Sequence, residues 1–552
     1  MGEKELIEQI KENLAHFESE RRLFEGRWKE AINYTAPSVF DFSNLDTVPT
    51  TPERKTSSPC NFMDVLVSGL VGYSISPNIV WLKLSLEQTE LLDRYGVKDW
   101  LEKTESVFYS EFNRSNLYTQ IPHLVRSACT IGHGVILIDE DMKNERLRFS
   151  FRRANEIYLE ADEYDEIDTV YRVYQMTVKN AVEFFGKENM SPDTRDDYED
   201  SKRRYKKIRL LHAVYPRKEY DESAPDNTRM KYASIDIELD KDYLIRESGY
   251  KENPYAVFEW SKLSGFAYSD SPAMQAMPDI RLLNIANETM FQIAQMSAMP
   301  ALSIPDDMKD VHMIPRGYNF YTDPTKKIEP IRTGENYPIT IQIVQSIEQR
   351  VKEWFSVDFF LMLQQQQGNR TATEVMELQG EKAAVLSSLI VCLNQTLQQI
   401  VTRSFNILLT AGKIPDPPQS LIGSNAQLKV DFVGPLAQAQ KKYHQAGGIA
   451  QALSLAQPII QAFPPAADYI DADILVKRAM EGTGMPQSVI REDDDVTKIR
   501  QERAEQQAAL MQQQALMQQS QTLAQNFNKL NEPIKSGSAM AEIGKQLTGG
   551  FA

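Results

Sequence analysis

The sequence predicts an α+β protein in which helices predominate, and three observations support this fold class. Apolar residues recur every three or four positions over long stretches, as in amphipathic helices. From about residue 134 to residue 262 they alternate instead, which predicts strands. Two helix-patterned stretches, Ser271 to Met299 and Ile341 to Leu363, bracket a region of short strand-like and turn-like runs.

The composition is ordinary for a globular protein, with a marked acidic balance. Hydrophobic residues make up 42% and charged residues 25% of the 552 residues, which is enough chain for about three or four structural units. The formal net charge of -16 argues against a protein that grips nucleic acid by neutralising phosphates. An acidic surface that repels a passing polyanion is compatible with this charge.

Cysteine usage and the apolar windows point to folding inside a reducing compartment. Cys60, Cys129 and Cys392 lie far apart, without a CxxC pair or a disulfide framework. The N-terminal residues MGEKELIEQIKENL predict a charged helix and not a signal peptide. Met63 to Trp81 is the most apolar long window, but an aspartate, two glycines and a proline interrupt it, so it is predicted to be core.

The first part of the chain is predicted to be helical. Apolar residues at helical spacing predict a helix over residues 3–35, and Pro37 stops it. Residues 36–60, rich in Thr, Pro and Ser, predict an extended arm. Further helices are predicted from Asn61, over Trp100 to Phe112 and over Ile121 to Thr130.

The alternating block predicts a mixed, mainly antiparallel β unit with one short helix near Ala181 to Phe185. IGHG (residues 131–134) predicts the tight turn that leads into it. The predicted strands are Val135 to Ile138, Leu147 to Phe151, Ile157 to Leu159, Val170 to Met176, Ile208 to Tyr215, Ala233 to Leu239 and Tyr255 to Trp260.

Two rod helices follow this unit. Ser271 is predicted to cap the first rod, Pro278 to kink or restart it, and Pro300 to end it. Prolines, Gly317 and short apolar runs predict a compact strand-bearing cap before the second rod. The apolar side of the second rod is predicted to carry Ile343, Ile347, Val351, Trp354 and Phe355.

A polar loop is predicted directly after the second rod. Thr371 and Glu374 have the spacing of a capping box, so a long helix from Thr373 to about Ala411 should begin just behind the loop. Glutamine can hydrogen-bond phosphates without charge, so a contact there would be weak and easily broken, and a plain linker is the alternative. Arg370 is either a cation facing a ligand or a salt-bridge or cap residue. The loop residues are Gln364, Gln365, Gln366, Gln367, Gly368, Asn369 and Arg370.

The remaining chain is predicted to contain a turn at Pro415 to Pro418, a strand at Leu428 to Phe432, and then helices. The last helical part is rich in Gln, Ala and Met, and predicts either a bundle around an axis or a plain coiled-coil tail. Beyond Pro533 a disordered tail is expected.

No motif predicts an enzyme, a cofactor or a metal. Ser536 to Gln546 contains glycines and a lysine, but the spacing is not that of a phosphate-binding loop. Six histidines are scattered, and even His123 and His133 match no zinc pattern. No arrangement of Ser, His and Asp or of Cys and His is evident.

Three charged clusters have a local explanation as well as a functional one. The acidic run Glu160 to Asp168 suggests a cation site, but a solvated turn between strands is favoured. The basic cluster Ser201 to Arg209 suggests phosphate contacts, but pairing with the preceding acidic residues 193–200 is favoured. Carboxylates in Arg491 to Val496 are expected at a helix start.

Four stretches together resemble portal proteins, the head-to-tail connectors of short-tailed, podovirus-type bacteriophages. They span nearly the whole chain in the family's order. The stretches are WKEAINYTAPS (residues 28–38), NPYAVFEWSKLSGFAYSDSPAMQAMPDIRLLN (253–284), NRTATEV (369–375) and VGPLAQAQK (433–441).

The resemblance implies a ring, usually dodecameric, around a channel for double-stranded DNA at one capsid vertex of the virion. The ring would assemble in the host cytoplasm, without cofactor or membrane. Implied partners are the terminase large subunit, tail adaptor proteins, and major capsid and scaffold proteins. The implied regions are 1–262 wing, 263–299 first stem helix, 300–338 clip, 339–363 second stem helix, 364–370 tunnel loop, 371–440 wing helix and return strand, 441–532 crown, and 533–552 disordered tail.

Two other functions are considered. A capsid scaffold or tail adaptor without a DNA channel would give solid particles in negative stain, whereas a portal would give rings with a central hole. A nuclease, suggested by the acidic clusters, would lose its function on alanine replacement of Asp162, Asp165 and Asp168.

We expect Thr371→Ala to lower the stability of the helix behind the loop by about 1 kcal/mol, because it removes one half of the predicted capping box. The measurement is thermal unfolding, in which a modest drop in melting temperature should accompany an intact fold. Loss of the fold would contradict the predicted local role of Thr371.

Overall fold

A computed structural model of the chain describes residues 2–37, 54–92, 94, 96–141, 144–221, 227–299, 301–304, 306, 325, 329–331, 337–364, 387–421, 428–434, 463, 465 and 493–530. It divides into two units, Met1–Ser454 and Leu455–Ala552. Helices predominate over strands, and both are present, which confirms the α+β fold class in these residues.

The first unit begins with the helices α1 (Glu3–Thr35) and α2 (Ser58–Ser74). The predicted first helix is confirmed, whereas α2 starts three residues earlier than Asn61. α1 serves two cores: Ile7 to Phe17 lie on a β-sheet, and Phe24 and Trp28 lie in the main core. The apolar window from Met63 is buried there as well, as predicted.

Strand β1 (Leu82–Leu86) pairs antiparallel with β12 (Leu428–Phe432) and joins distant parts of the chain. β12 was predicted. β1 was not, although its leucines alternate with polar residues. Three helices follow β1: α3 (Thr89–Leu92), α4 (Val97–Arg114) and α5 (Leu117–Ile131).

A three-stranded sheet follows α5, and its order is β3-β2-β9. Gly132 adopts φ +93° between α5 and the first of these strands, where a Cβ atom would lie 2.0 Å from the Ser269 carbonyl oxygen. Only glycine fits this predicted turn. The strands are β2 (His133–Asp141), β3 (Arg146–Arg152) and β9 (Tyr255–Glu259).

A five-stranded antiparallel sheet in sequence order completes the predicted β unit. α1 packs on one face, and α6 (Val178–Phe185), inserted with α7 (Pro192–Glu199) between two strands, packs on the other. α7 and the edge strand β8 were not predicted. The strands are β4 (Ile157–Ala161), β5 (Ile167–Thr177), β6 (Lys207–Pro216), β7 (Tyr232–Glu238) and β8 (Tyr243–Tyr250).

The first rod consists of a short helix, α8 (Pro272–Gln275), and a long helix, α9 (Met277–Ala298). The predicted restart at Pro278 is confirmed, because the proline occupies the first turn of α9, where no backbone N–H is needed. Ser271 caps α8 as predicted: its Oγ accepts a hydrogen bond from Met274 N at 3.0 Å. The same hydroxyl donates to the Thr130 carbonyl at 2.8 Å, so the start of the rod is tied to α5.

The second rod is not the single helix that the sequence predicted. It consists of α10 (Tyr337–Trp354) and α11 (Val357–Gln364), separated at Ser356, which has φ +51°. A left-handed serine breaks the helical hydrogen-bond pattern and redirects the chain. Of the predicted strand-bearing cap, the structure describes one antiparallel pair, β10 (Leu302–Ser303) with β11 (Glu329–Pro330).

The long helix predicted from Thr373 is described from residue 387 onward as α12 (Ser387–Thr410), and its first part lies outside the described residues. In the second unit, the helix α13 (Asp493–Leu530) begins within the acidic stretch, as predicted. The tail beyond Pro533 lies outside the described residues.

We expect Ser271→Ala to lower the free energy of unfolding of the first unit by about 2 kcal/mol. The substitution removes the cap of α8 and leaves the buried Thr130 carbonyl without its donor. Urea denaturation measures this change. Ser106→Ala, at an exposed hydroxyl that bonds only within α4, is the control and should change stability by less than about 0.5 kcal/mol. Equal effects of the two variants would contradict the prediction.

Candidate subunit interface

The rod helices α9 and α10 pack against each other and leave opposite sides exposed. Near the start of α9, Asp279 accepts hydrogen bonds from Arg350 Nε at 3.1 Å and from Trp354 Nε1 at 3.2 Å. Hydrophobic packing lies deeper between the helices. The buried positions of α10, three or four residues apart, are Val344, Ile347 and Val351, with Phe355 directly behind the helix.

The segment in front of α2 contacts both rods. Lys55 N donates to Asn284 Oδ1 of α9 at 2.8 Å. Three residues later, Ser58 Oγ donates to Glu348 Oε1 of α10 at 2.9 Å. The rods are therefore held together at one level by the start of α2 as well as by each other.

The opposite side of α9 carries an uncovered stripe, which we call the α9 stripe. Its positions are spaced alternately by four and three residues, the repeat of a helix that packs along a second helix. Four of them are large and apolar, with exposed fractions of 44% for Leu282, 59% for Ile285, 54% for Met296 and 87% for Met299. The exposed positions are Pro278, Leu282, Ile285, Thr289, Gln292, Met296 and Met299.

The α9 stripe has the character of an interface and not of a solvated helix face. It runs for roughly 30 Å at 1.5 Å per residue. Its large apolar side chains form two exposed pairs, Leu282 with Ile285 and Met296 with Met299, and grouped exposed apolar surface marks an interaction site. The rod tip adds to this surface, because Leu302, Ile304 and Ile331 beside the β10–β11 pair are exposed too.

The predicted loop adjoins α11. Gln364 is the last residue of this helix. The other predicted site residues lie outside the described residues: Gln365, Gln366, Gln367, Gly368, Asn369 and Arg370, with the capping residues Thr371 and Glu374.

Comparison with known proteins identifies the family. A family model described as bacteriophage head to tail connecting protein matches residues 7–490. The chain belongs to this head-to-tail connector family. It is 28% identical over 518 residues to the portal protein of Salmonella phage epsilon15, covering 91% of this chain and 92% of that protein. It is 27% identical over 512 residues to the probable portal protein of Bordetella phage BPP-1, covering 90% of each chain.

The resemblance of the four sequence stretches to phage portal proteins is thereby confirmed. Both relatives are named as portal proteins, the second as a probable one, and neither name is that of an enzyme. Within the described part of this connector chain, no helix is long and apolar enough to cross a membrane.

The acidic run of this connector chain forms the predicted turn between β4 and β5. Asp162 Oδ1 accepts hydrogen bonds from the backbone N–H groups of Tyr164 and Glu166, both at 2.9 Å. Burial, and then the charge of Asp168, raise the pKa of Glu160. In the described residues no group of three or more His, Cys, Asp or Glu side chains is arranged to hold a metal ion.

The basic cluster is paired locally, as predicted. Arg203 bonds Asp197 at 3.0 Å and Asp200 at 2.8 Å. Farther along, Arg209 bonds Asp240 at 2.7 Å. Much of the cluster's charge is therefore already neutralised by neighbouring carboxylates.

His123 in α5 and His133 at the start of β2 both pack against aromatic side chains. His133 packs between Trp28 and Tyr268, and burial lowers its pKa to about 3, so it stays neutral. His123 stacks on Phe151. The three cysteines are free, as their separation in sequence suggested.

Sequence reasoning grouped the apolar residues of α9 without separating its two sides. The structure buries Met277 and exposes Leu282, Ile285 and Phe291. The spacing of Leu282 from Ile285 and of Met296 from Met299 was visible in the sequence, but the polar Thr289 and Gln292 between these pairs interrupt the apolar repeat, so the sequence did not show which side of α9 is uncovered. Ser356, in contrast, gave no signal of its left-handed conformation.

Proposed function

We propose that copies of this chain close into a ring whose channel passes double-stranded DNA into and out of a phage capsid. The ring occupies one capsid vertex and is not an enzyme. The α9 stripe, in a chain of the connector family, is the observation that carries this proposal. A rod that cannot cover its own apolar face needs a neighbour, and a second copy is the neighbour that is always present.

The stripe suits a ring because of its asymmetry. α9 presents it on one side of the rod pair, and α10 presents the exposed side chains of Ile343 and Trp354 elsewhere on the pair. A contact between two different surfaces of identical chains is heterologous, and such contacts generate a closed ring when the rotation closes. Each large apolar side chain contributes about 1.5–3 kcal/mol when it is fully buried.

The negative net charge of the chain suits a channel that does not bind the DNA passing through it. Every phosphate that the wall neutralised would have to be released again as DNA moved. A formal net charge of -16 opposes such binding. In this proposal the loop residues 364–370 face DNA and contact it through uncharged glutamine amides, with Arg370 as one cation per chain.

The proposal assigns docking to the end of the rods. The packaging terminase and later the tail adaptor proteins bind region 300–338, while capsid and scaffold proteins contact the outside of the ring. The described part of this region supports the assignment, because Leu302, Ile304 and Ile331 expose apolar surface there.

We expect Ile285→Asp to prevent ring closure and leave folded monomers. The residue is more than half exposed in the single chain, so the substitution leaves the core intact, but it places a charge inside the proposed contact. Light scattering after size exclusion and negative-stain images measure the assembly state. Leu23→Asp on α1, at a side chain that is 69% exposed and off the stripe, is the matched control and should still form rings. Rings with a DNA-sized hole from the Ile285→Asp chain, or solid particles from the unchanged chain, would contradict the proposal.

We expect deletion of Gln364–Gly368 to leave rings intact and to impair DNA packaging or retention. The reason is that the loop contacts DNA and not the neighbouring copy. Because Gln364 still belongs to α11, deletion of Gln365–Gly368 is the control that keeps the helix whole and should have the same effect. The measurement is the fraction of DNA-filled particles. Failure of the ring itself to assemble would assign the loop a structural role.

A further inference from the structure

Helix α11 is seated on α2 at a position where only glycine fits. A Cβ atom on Gly69 would lie 2.2 Å from Cδ1, 2.4 Å from Cγ and 2.7 Å from Cε1 of Phe360. The Phe360 ring is fully buried, so it cannot swing aside into solvent. The ring therefore fills the space that a side chain at position 69 would need, and we call this contact the Gly69 seat.

Further contacts hold α11 around the seat. Tyr73, one turn along α2, stacks on Phe360 with ring centroids 6.5 Å apart and an interplanar angle of 18°. On the α10 side, Gln349 Nε2 donates to Asp358 Oδ2 at 2.9 Å. α11 is thus fixed by α2 and by the end of α10 together.

Because the second rod is broken at Ser356, the Gly69 seat sets the direction of α11. A continuous helix would transmit the direction of α10 through to Gln364, but the left-handed residue between the two helices interrupts it. The direction of α11 follows from where Phe360 docks. Gln364 lies at the end of α11, so its position depends on the contact of α11 with α2 and not on the second rod alone.

We infer that Gly69 is a positioning residue for Gln364, the residue at which the proposed loop leaves α11: the Gly69 seat holds α11, and α11 holds Gln364. This inference rests on the proposed function. A side chain at position 69 would push α11 away from α2 and move Gln364 with it, without touching the α9 stripe.

The test compares Gly69→Ala with Gly72→Ala in the full-length chain. Gly72 lies on the same helix, is exposed, and has open space where a Cβ would sit. Gly72→Ala should therefore assemble and support DNA filling like the unchanged chain, with equal or higher stability, because alanine favours helix more than glycine does. Gly69→Ala should form rings but lose DNA-filled particles in a packaging assay.

A second pair of variants separates position from stability. Phe360→Leu removes part of the ring and lowers the melting temperature, but it does not push α11 away, so filling should persist. Phe360→Ala combined with Gly69→Ala removes the Cγ and Cδ1 atoms that crowd position 69, makes room for the added methyl group and should restore filling. If filling instead follows the melting temperature across all these variants, the positioning role is wrong. If the Gly69→Ala chain supports DNA filling as well as the unchanged chain does, this inference alone is wrong. If rings of the unchanged chain never support DNA filling, the proposed channel is wrong as well.

Discussion

Within one chain, α10 can cover only one side of α9, and the proposed assembly follows from this limit. Ile280 and Leu283 face the interior, while Leu282 and Ile285, one turn apart on the other side, face solvent. When a helix carries apolar residues on two sides, the hydrophobic effect favours removing both sides from water. Within the described residues α10 packs along one side of α9 and the segment in front of α2 contacts Asn284, while the α9 stripe stays exposed, and the proposed assembly covers that stripe with a second copy.

The direction of the rods depends on buried contacts more than on the ion pairs around them. Arg281 bonds Glu30, but both side chains are partly exposed, and exposed pairs contribute little. Ser271 and Gly132, in contrast, lie at a crowded junction where the rod start meets the end of α5. The Ser271 hydroxyl donates one hydrogen bond and accepts another, and Gly132 has no room for a Cβ atom, so the junction between α5 and the first rod can adopt only one arrangement. The start of the first rod is therefore held in one orientation against the end of α5.

The sequence predicted those parts of the fold that local chemistry determines. Ser271, Pro272 and Pro278 placed the start and restart of the first rod correctly because caps and prolines act within one turn. Strand β8 was missed because it is an edge strand whose Arg246 and Glu247 are exposed, which weakens the alternation. The Ser356 break was missed because no glycine or proline marks it and the apolar helical pattern continues through it, whereas the contact of Phe360 with α2 that accompanies it is distant in sequence. Of the candidate site, the polar loop could be located from the sequence, but the uncovered face of α9 required knowledge of which side α10 occupies.

The Ser356 break also separates two tasks that a continuous helix would have joined. α9 and α10 carry the exposed surface by which copies are proposed to contact one another, and α11 carries Gln364 from a seat on α2. In a single rigid rod, any adjustment at the contact between copies would displace the end of the helix over its whole length. The left-handed Ser356 interrupts such a rod, while Phe360 is held against α2 and Asp358 accepts a hydrogen bond from Gln349 of α10. The proposed contact between copies and the proposed loop are therefore connected through a helix break and a buried seat, and not through one continuous helix.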